Sequence, residues 1–162
     1  MALSMSDSSS SFSHLDAEGR ARMVNVGQKP DQHRVAKASG FIRLQPTTMS
    51  ALRDQALPKG DVLTVAKIAG IQAAKRTSEL IPLCHPLPLH SVDIRFALEN
   101  EGVRIDATTE TTGKTGVEME ALTAVSAAAL TIYDMCKSMD KTMVIEAIHL
   151  VSKTKHDLGE SI

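Results

Sequence analysis

The run Val92-Asp93-Ile94-Arg95-Phe96-Ala97-Leu98-Glu99-Asn100-Glu101-Gly102-Val103-Arg104-Ile105-Asp106-Ala107-Thr108 carries the clearest structural signal in the chain. Val92, Ile94, Phe96 and Leu98 alternate with Asp93, Arg95 and Ala97. Val103, Ile105 and Ala107 then alternate with Arg104, Asp106 and Thr108. A period of two gives each strand one apolar and one polar face, and Glu99-Asn100-Glu101-Gly102 supplies the turn between them. The spacing therefore predicts an antiparallel hairpin with one face covered.

The flanks predict what covers it. Upstream, Asp61 is placed to cap a helix over 62–78, with Val62, Val65, Ala66, Ala69 and Ala73 as its buried stripe. Gly70 inside that helix costs about 1 kcal/mol against alanine, which a close backbone approach would explain. Downstream, Gly113-Lys114-Thr115-Gly116 ends the hairpin and a long helix runs over 117–137. Ala121, Leu122, Val125, Ala128, Ala129 and Ile132 lie on one side of it. A final strand covers 143–151. Helix, strand, strand, helix, strand is most economically an α+β domain, a ferredoxin-like antiparallel sheet with helices packed on one face. Further towards the N-terminus, short strands at 23–26 and 38–44 would extend or flank the sheet. A helix is expected at 47–57, capped by Thr47 or Thr48. Pro82, Pro86 and Pro88 make 80–90 a stiff loop, neither helix nor central strand.

At 162 residues the chain suits one domain with a tail. Seven serines in residues 1–13 predict a disordered segment. The catalytic or binding domain would then span 14–156, with a flexible end at 157–162. Apolar residues make up 43%, yet there are only three Phe, one Tyr and no Trp. So few rings argue against a base-stacking platform for nucleic acid. A net charge of −1 creates no global field for DNA, RNA or an anionic membrane. Cys84 and Cys136 are too few for a disulfide framework and read as buried thiols of a cytosolic protein. The N-terminus lacks secretory character, and no apolar run nears the ~20 residues of a bilayer span. These features predict a soluble, cytoplasmic protein.

Several residue groups carry chemistry. Gly113-Lys114-Thr115 lacks the phosphate-loop spacing, because position 108 is Thr rather than Gly. Two glycines before a helix N-terminus still expose backbone N–H groups suited to an anion. Glu118 and Glu120 open that helix, where acidic residues also simply complement the dipole. Asp134 sits near its C-terminus, where negative charge is unfavourable, with Lys137 one turn on as an ordinary ion-pair partner. Glu120 and Asp134 lie on nearly the same side but about 21 Å apart along the axis. One small reacting centre cannot touch both, so a long ligand or a site shared between subunits is expected. The small residues Ala124, Ser126, Ala127 and Ala128 would let another helix pack closely. Lys59 stands in a Pro-Lys-Gly turn before a helix. Lys67, Lys75 and Arg76 read first as a solvated helix face. Arg34, Lys137, Lys141 and Lys153 are further cations for an anionic ligand. His85 follows Cys84 on the proline-pinned loop. The dipeptide is too sparse for a zinc site, but a rigid histidine suits acid–base work near neutrality.

Read together, Lys59-Gly60-Asp61-Val62, Ile68–Thr77, Leu80–Leu87, Thr112–Thr123 and Thr131–Lys137 resemble the cyclic pyranopterin monophosphate synthase family, the molybdenum cofactor biosynthesis protein C family. The likeness covers roughly 14–153. It implies a ferredoxin-like fold and a homohexamer, a trimer of dimers with sites between subunits. It also implies a reaction: a cyclised dihydroguanosine triphosphate, made by a preceding radical enzyme, rearranges to a pyranopterin with a cyclic phosphate and releases pyrophosphate. By position, Asp134 matches the catalytic aspartate, and Lys59 and Lys137 match essential lysines. Leu83, Cys84 and His85 match one substrate-binding stretch, and Met119 and Glu120 the other. Glu118, Lys75, Arg34 and Lys153 match further pocket positions. No redox cofactor and no protein-bound metal are implied, although Mg²⁺ can accompany a triphosphate. After Lys153 the family usually carries a glycine-rich basic stretch, where this chain has Thr154-Lys155-His156-Asp157-Leu158-Gly159. A non-catalytic nucleotide- or pterin-binding oligomer is the alternative reading, and a structural oligomer with merely solvated charges a third.

Overall fold

The hairpin forms as its alternation requires. Strand β2 (Ser91–Leu98) pairs antiparallel with β3 (Gly102–Gly113), with Ile94 opposite Ala107 and Phe96 opposite Ile105. The computed structural model describes Leu15, Asp16 and residues 18–159; the serine-rich stretch 1–13 and residues 160–162 lie outside them. The remaining elements are β1 (Gln32–Arg43), α1 (Pro46–Arg53), α2 (Val62–Lys75), α3 (Thr77–Leu80), α4 (Glu118–Cys136) and β4 (Val144–Asp157). The sheet order is β2-β3-β1-β4, all neighbours antiparallel. With α2 after β1 and α4 after β3, this is the ferredoxin-like βαββαβ arrangement.

One face of the sheet buries Ala36, Ala38 and Ile42 of β1, Ile94 of β2, and Val103, Ile105 and Ala107 of β3. Against them α4 buries Ala121, Ala124, Val125, Ala128, Ala129 and Ile132. The helices lie antiparallel and close. A Cβ on Gly70 would collide with Ile94 Cδ1 and stand 2.8 Å from the carbonyl oxygen of Ala124. The buried line of α2 is Val62, Ala66, Gly70 and Ala74, a strict i,i+4 row. Val65 points to solvent instead of into the stripe, and Ala69 and Ala73 are only partly buried. The small residues Ala124 and Ala128 thus admit α2 of the same chain.

Several expectations need correction. There is one N-terminal strand, not two, and it lies inside the sheet between β3 and β4 rather than beside it. It begins six residues before Ala38, because pairing on both sides holds the polar run Gln32–Arg34 extended. Residues 23–26 form no strand. Asn25 Oδ1 accepts the Gly27 N–H at 2.9 Å, a local bond that competes with a ladder. The first helix starts at Pro46 with Gln45 at its N-cap and no capping bond from that side chain. Buried Asp140 takes over, accepting the Gln45 N–H at 2.8 Å, and Thr48 is buried beside it. The helix from Asp61 stops at Lys75, and α3 follows as a separate turn. Asp61 does cap it, accepting the Thr64 N–H at 3.1 Å. β4 runs six residues past the expected 151, so the unusual Thr154–Asp157 segment is strand, paired with Gln32–Val35.

Candidate active site

The fold sets two clusters of site residues at opposite ends of α4. At its N-terminal end the proline loop is anchored to β3: Thr111 Oγ1 donates to the Pro88 carbonyl at 2.6 Å, and the His90 N–H to the Glu110 carbonyl at 2.9 Å. This seats Leu83, Cys84 and His85 against Met119 and Glu120, around a cavity of about 400 Å³ that Val24, Val26, Lys29 and Glu118 also line. His85 Nε2 lies 2.7 Å from the Val24 carbonyl oxygen. A carbonyl only accepts, so Nε2 carries the hydrogen of this bond and Nδ1 is the ring nitrogen left outside it.

Glu120 is 4% exposed. Burial, with a lesser contribution from the Glu118 charge, pushes its carboxyl up to about 6, although its own backbone N–H opposes the shift. A carboxyl that titrates so near neutrality can both take and give a proton. Burial, then the Glu120 charge, also raises the Cys84 thiol, which keeps it protonated rather than nucleophilic. Glu118 behaves oppositely. Burial alone would raise it, but the Lys153 ammonium 2.9 Å away, its own backbone N–H and the Arg34 charge bring it below the ordinary value.

A second cavity of about 270 Å³ adjoins the first through Gly116 and Glu118, and Arg34, Lys153 and Lys155 line it. A Cβ at Gly116 would meet the Glu118 carboxylate, which would have to swing aside. Arg34 Nε donates to the Gly113 carbonyl at 3.0 Å, bracing the turn that leads into α4. The α4 N-cap residue, Val117, makes no side-chain capping bond. A glycine and three cations together suit phosphate oxygens. Lys29 and Lys155 are pocket cations that the sequence reading missed. They sit outside every quoted motif, and only the return of β4 alongside β1 brings Lys155 in.

At the other end of α4, Lys59 Nζ donates to the Asp134 carbonyl at 2.9 Å and to Oδ2 at 3.1 Å, while Lys137 Nζ reaches Oδ1 at 2.6 Å. The Lys137 hydrogen bond, followed by that of Lys59, holds the Asp134 carboxyl below its usual range. The same bond raises Lys137. Asp134 therefore stays ionised and Lys137 protonated at neutral pH. The Asp134 side chain is 57% exposed, open to a ligand or a neighbouring surface. Lys75, at the end of α2, is exposed and lines neither cavity. Within one chain, then, Arg34, Leu83, Cys84, His85, Glu118, Met119, Glu120 and Lys153 come together, as do Lys59, Asp134 and Lys137. The two groups do not meet.

A larger groove of about 700 Å³ crosses the open face of the sheet. Two of its acids are paired locally, Asp93 by Lys67 at 3.1 Å and Arg95 at 2.8 Å, and Asp106 by Arg104 at 3.1 Å. It holds no proton-transfer group comparable to Glu120.

A buried carboxyl that titrates near 6, beside cations placed for phosphate, defines a domain for acid–base handling of a small anionic molecule. Relatives narrow that class. The chain belongs to the MoaC family, whose sequence profile matches residues 23–156. It is 59% identical to the cyclic pyranopterin monophosphate synthase of Novosphingobium aromaticivorans, over 88% of this chain and 90% of that protein. The synthase of Desulfatibacillum aliphaticivorans is 56% identical over 93% of this chain and 96% of its own. That of Heliobacterium modesticaldum is 57% identical, with the same coverage of 93% and 96%.

Proposed function

We propose that this chain is a cyclic pyranopterin monophosphate synthase of molybdenum cofactor biosynthesis. It converts the cyclised dihydroguanosine triphosphate to cyclic pyranopterin monophosphate with release of pyrophosphate. The observation that carries the reading is the buried Glu120, titrating near 6 beside His85, next to the Arg34–Lys153–Lys155 cavity. Opening a purine-derived ring and closing a pterin needs repeated proton transfers, which Glu120 and His85 Nδ1 supply. Forming the cyclic phosphate while pyrophosphate leaves needs fixed positive charge on developing negative charge, the task of Lys59 and Lys137 with the cavity cations. Asp134 keeps both lysines in place and Lys137 protonated.

The active assembly is a cytoplasmic homohexamer, a trimer of dimers, in which the Lys59–Asp134–Lys137 end of one subunit completes the His85–Glu120 end of another. Two features support sharing: the distance of about 21 Å along α4, and the exposed apolar residues Leu130 and Ile68 on the outer faces of α4 and α2. Lys75 joins the site from that outer surface. Among the described residues no three His, Cys, Asp or Glu side chains stand together to hold a metal, and no helix is long and apolar enough to cross a membrane. Mg²⁺ would arrive on the triphosphate as part of the substrate.

The test is incubation of the pure protein with the cyclised triphosphate, with pyrophosphate and pterin product both assayed. Stoichiometric release of the two supports the enzyme. Tight substrate binding without release would instead establish the non-catalytic binding oligomer.

A further inference from the structure

We propose that Lys114 is a positioning residue, which fixes the His85 imidazole by gripping the segment 22–29 that crosses it. The proposal rests on the reading of His85 as a proton-transfer group. Lys114 belongs to the Gly-Lys-Thr turn, whose residue types suit phosphate, yet it lines neither cavity. Its ammonium instead donates to the Gly27 carbonyl at 2.7 Å.

Segment 22–29 has little else to hold it. Internally it has the Asn25–Gly27 bond and a turn closed by the Lys29 N–H on the Val26 carbonyl. Among the described hydrogen bonds, two tie it to the rest of the domain: Lys114 to Gly27, and His85 to Val24. These anchors lie three residues apart on one short stretch outside the sheet, so releasing the first frees the second. The grip is itself braced, because Arg34 donates to the carbonyls of Gly113 and Lys114 at 3.0 and 3.4 Å. The relay runs from the turn, through Lys114 and Gly27, to Val24 and the Nε2 hydrogen of His85. It keeps the Nε2 hydrogen on the Val24 carbonyl and the ring in one orientation. The titratable groups around the ring are Cys84 on its own loop, Glu118 and Glu120 on α4, and Lys29 on the gripping segment.

The test reads the ring directly in ¹⁵N-labelled, ligand-free protein. The Nε2 proton of His85, assigned by its loss in His85→Gln, is expected as a slowly exchanging signal. In Lys114→Ala that signal broadens away or exchanges at least tenfold faster, and in Lys114→Arg it persists. With substrate, Lys114→Ala loses kcat/KM by roughly 10- to 100-fold and shifts the acidic limb of its pH profile, while Lys114→Arg restores both. Lys114→Met, which keeps the aliphatic stem, replaces the alanine variant if that fails to fold. An unchanged ring proton and pH profile in Lys114→Ala or Lys114→Met would overturn the proposal. Full turnover by His85→Gln would instead remove the role of His85, and the ring-proton exchange would still decide whether Lys114 holds it.

Discussion

Lys59 grips Asp134 twice, its ammonium meeting both the backbone carbonyl and a side-chain oxygen of one residue near the end of α4. The helix C-terminus disfavours an acid there. Two lysines reverse that penalty and tie the turn before α2 to the last turn of α4. The pair is exposed, so its value is in geometry and charge at the site more than in stability.

Asp134→Asn keeps the shape and removes the charge. Turnover should fall by about 10²- to 10⁴-fold, the usual scale for a lost acid–base group. Lys137, raised by Asp134, should relax downward, so the alkaline limb of any residual activity moves to lower pH. Pyrophosphate release measured against pH checks both. Wild-type activity would remove Asp134 from the mechanism.

Glu120→Gln should separate activity from stability. The folded carboxyl titrates near 6, above the ordinary 4.5. Its protonated form is favoured by folding, so its stabilising contribution is complete below pH 4.5 and lost as pH rises through 6. Holding it ionised at pH 8 costs roughly 2 kcal/mol. The glutamine variant should therefore melt higher than wild type at pH 8, with little difference at pH 4, while turnover collapses. Thermal melts at the two pH values decide it.

Lys153→Ala should act on binding more than on chemistry. Lost contact with a phosphate oxygen raises KM roughly ten- to hundredfold with a smaller change in kcat. Glu118 loses its partner and titrates higher. Steady-state kinetics at two salt concentrations would show a weaker salt dependence in the variant.

Gly70→Val should destabilise by about 1–3 kcal/mol or more, because its side chain meets Ile94 and the Ala124 carbonyl. Denaturant titration measures this, and a neutral result would mean that the helices separate more easily than their packing implies.

The hairpin, the two long helices and the Asp61 cap were legible because local periodicity and capping chemistry determine them. So was the need for close approach at Gly70. The full length of β1 and β4 was not, since Gln32–Arg34 and Ser152–Asp157 are polar and are held extended by pairing across more than a hundred residues of sequence. The expected strand at 23–26 failed for the converse reason, a local Asn25 bond in place of a distant partner. Asp140 was invisible because its work on Gln45 and Thr48 is tertiary. At the site, residue identities came from contiguous motifs except for Arg34 and Lys153, and the helical repeat alone separated Glu120 from Asp134. The cations Lys29 and Lys155 lie outside those motifs and become visible only in three dimensions.

The shared site is tested most directly by mixing two inactive proteins, Asp134→Asn and Glu120→Gln, under conditions that exchange subunits. If each site takes one end of α4 from each of two subunits, random exchange leaves about a quarter of the sites intact, and pyrophosphate release recovers towards about a quarter of wild type. Mixed oligomers, verified by native mass measurement, that stay as inactive as their parents would contradict the account.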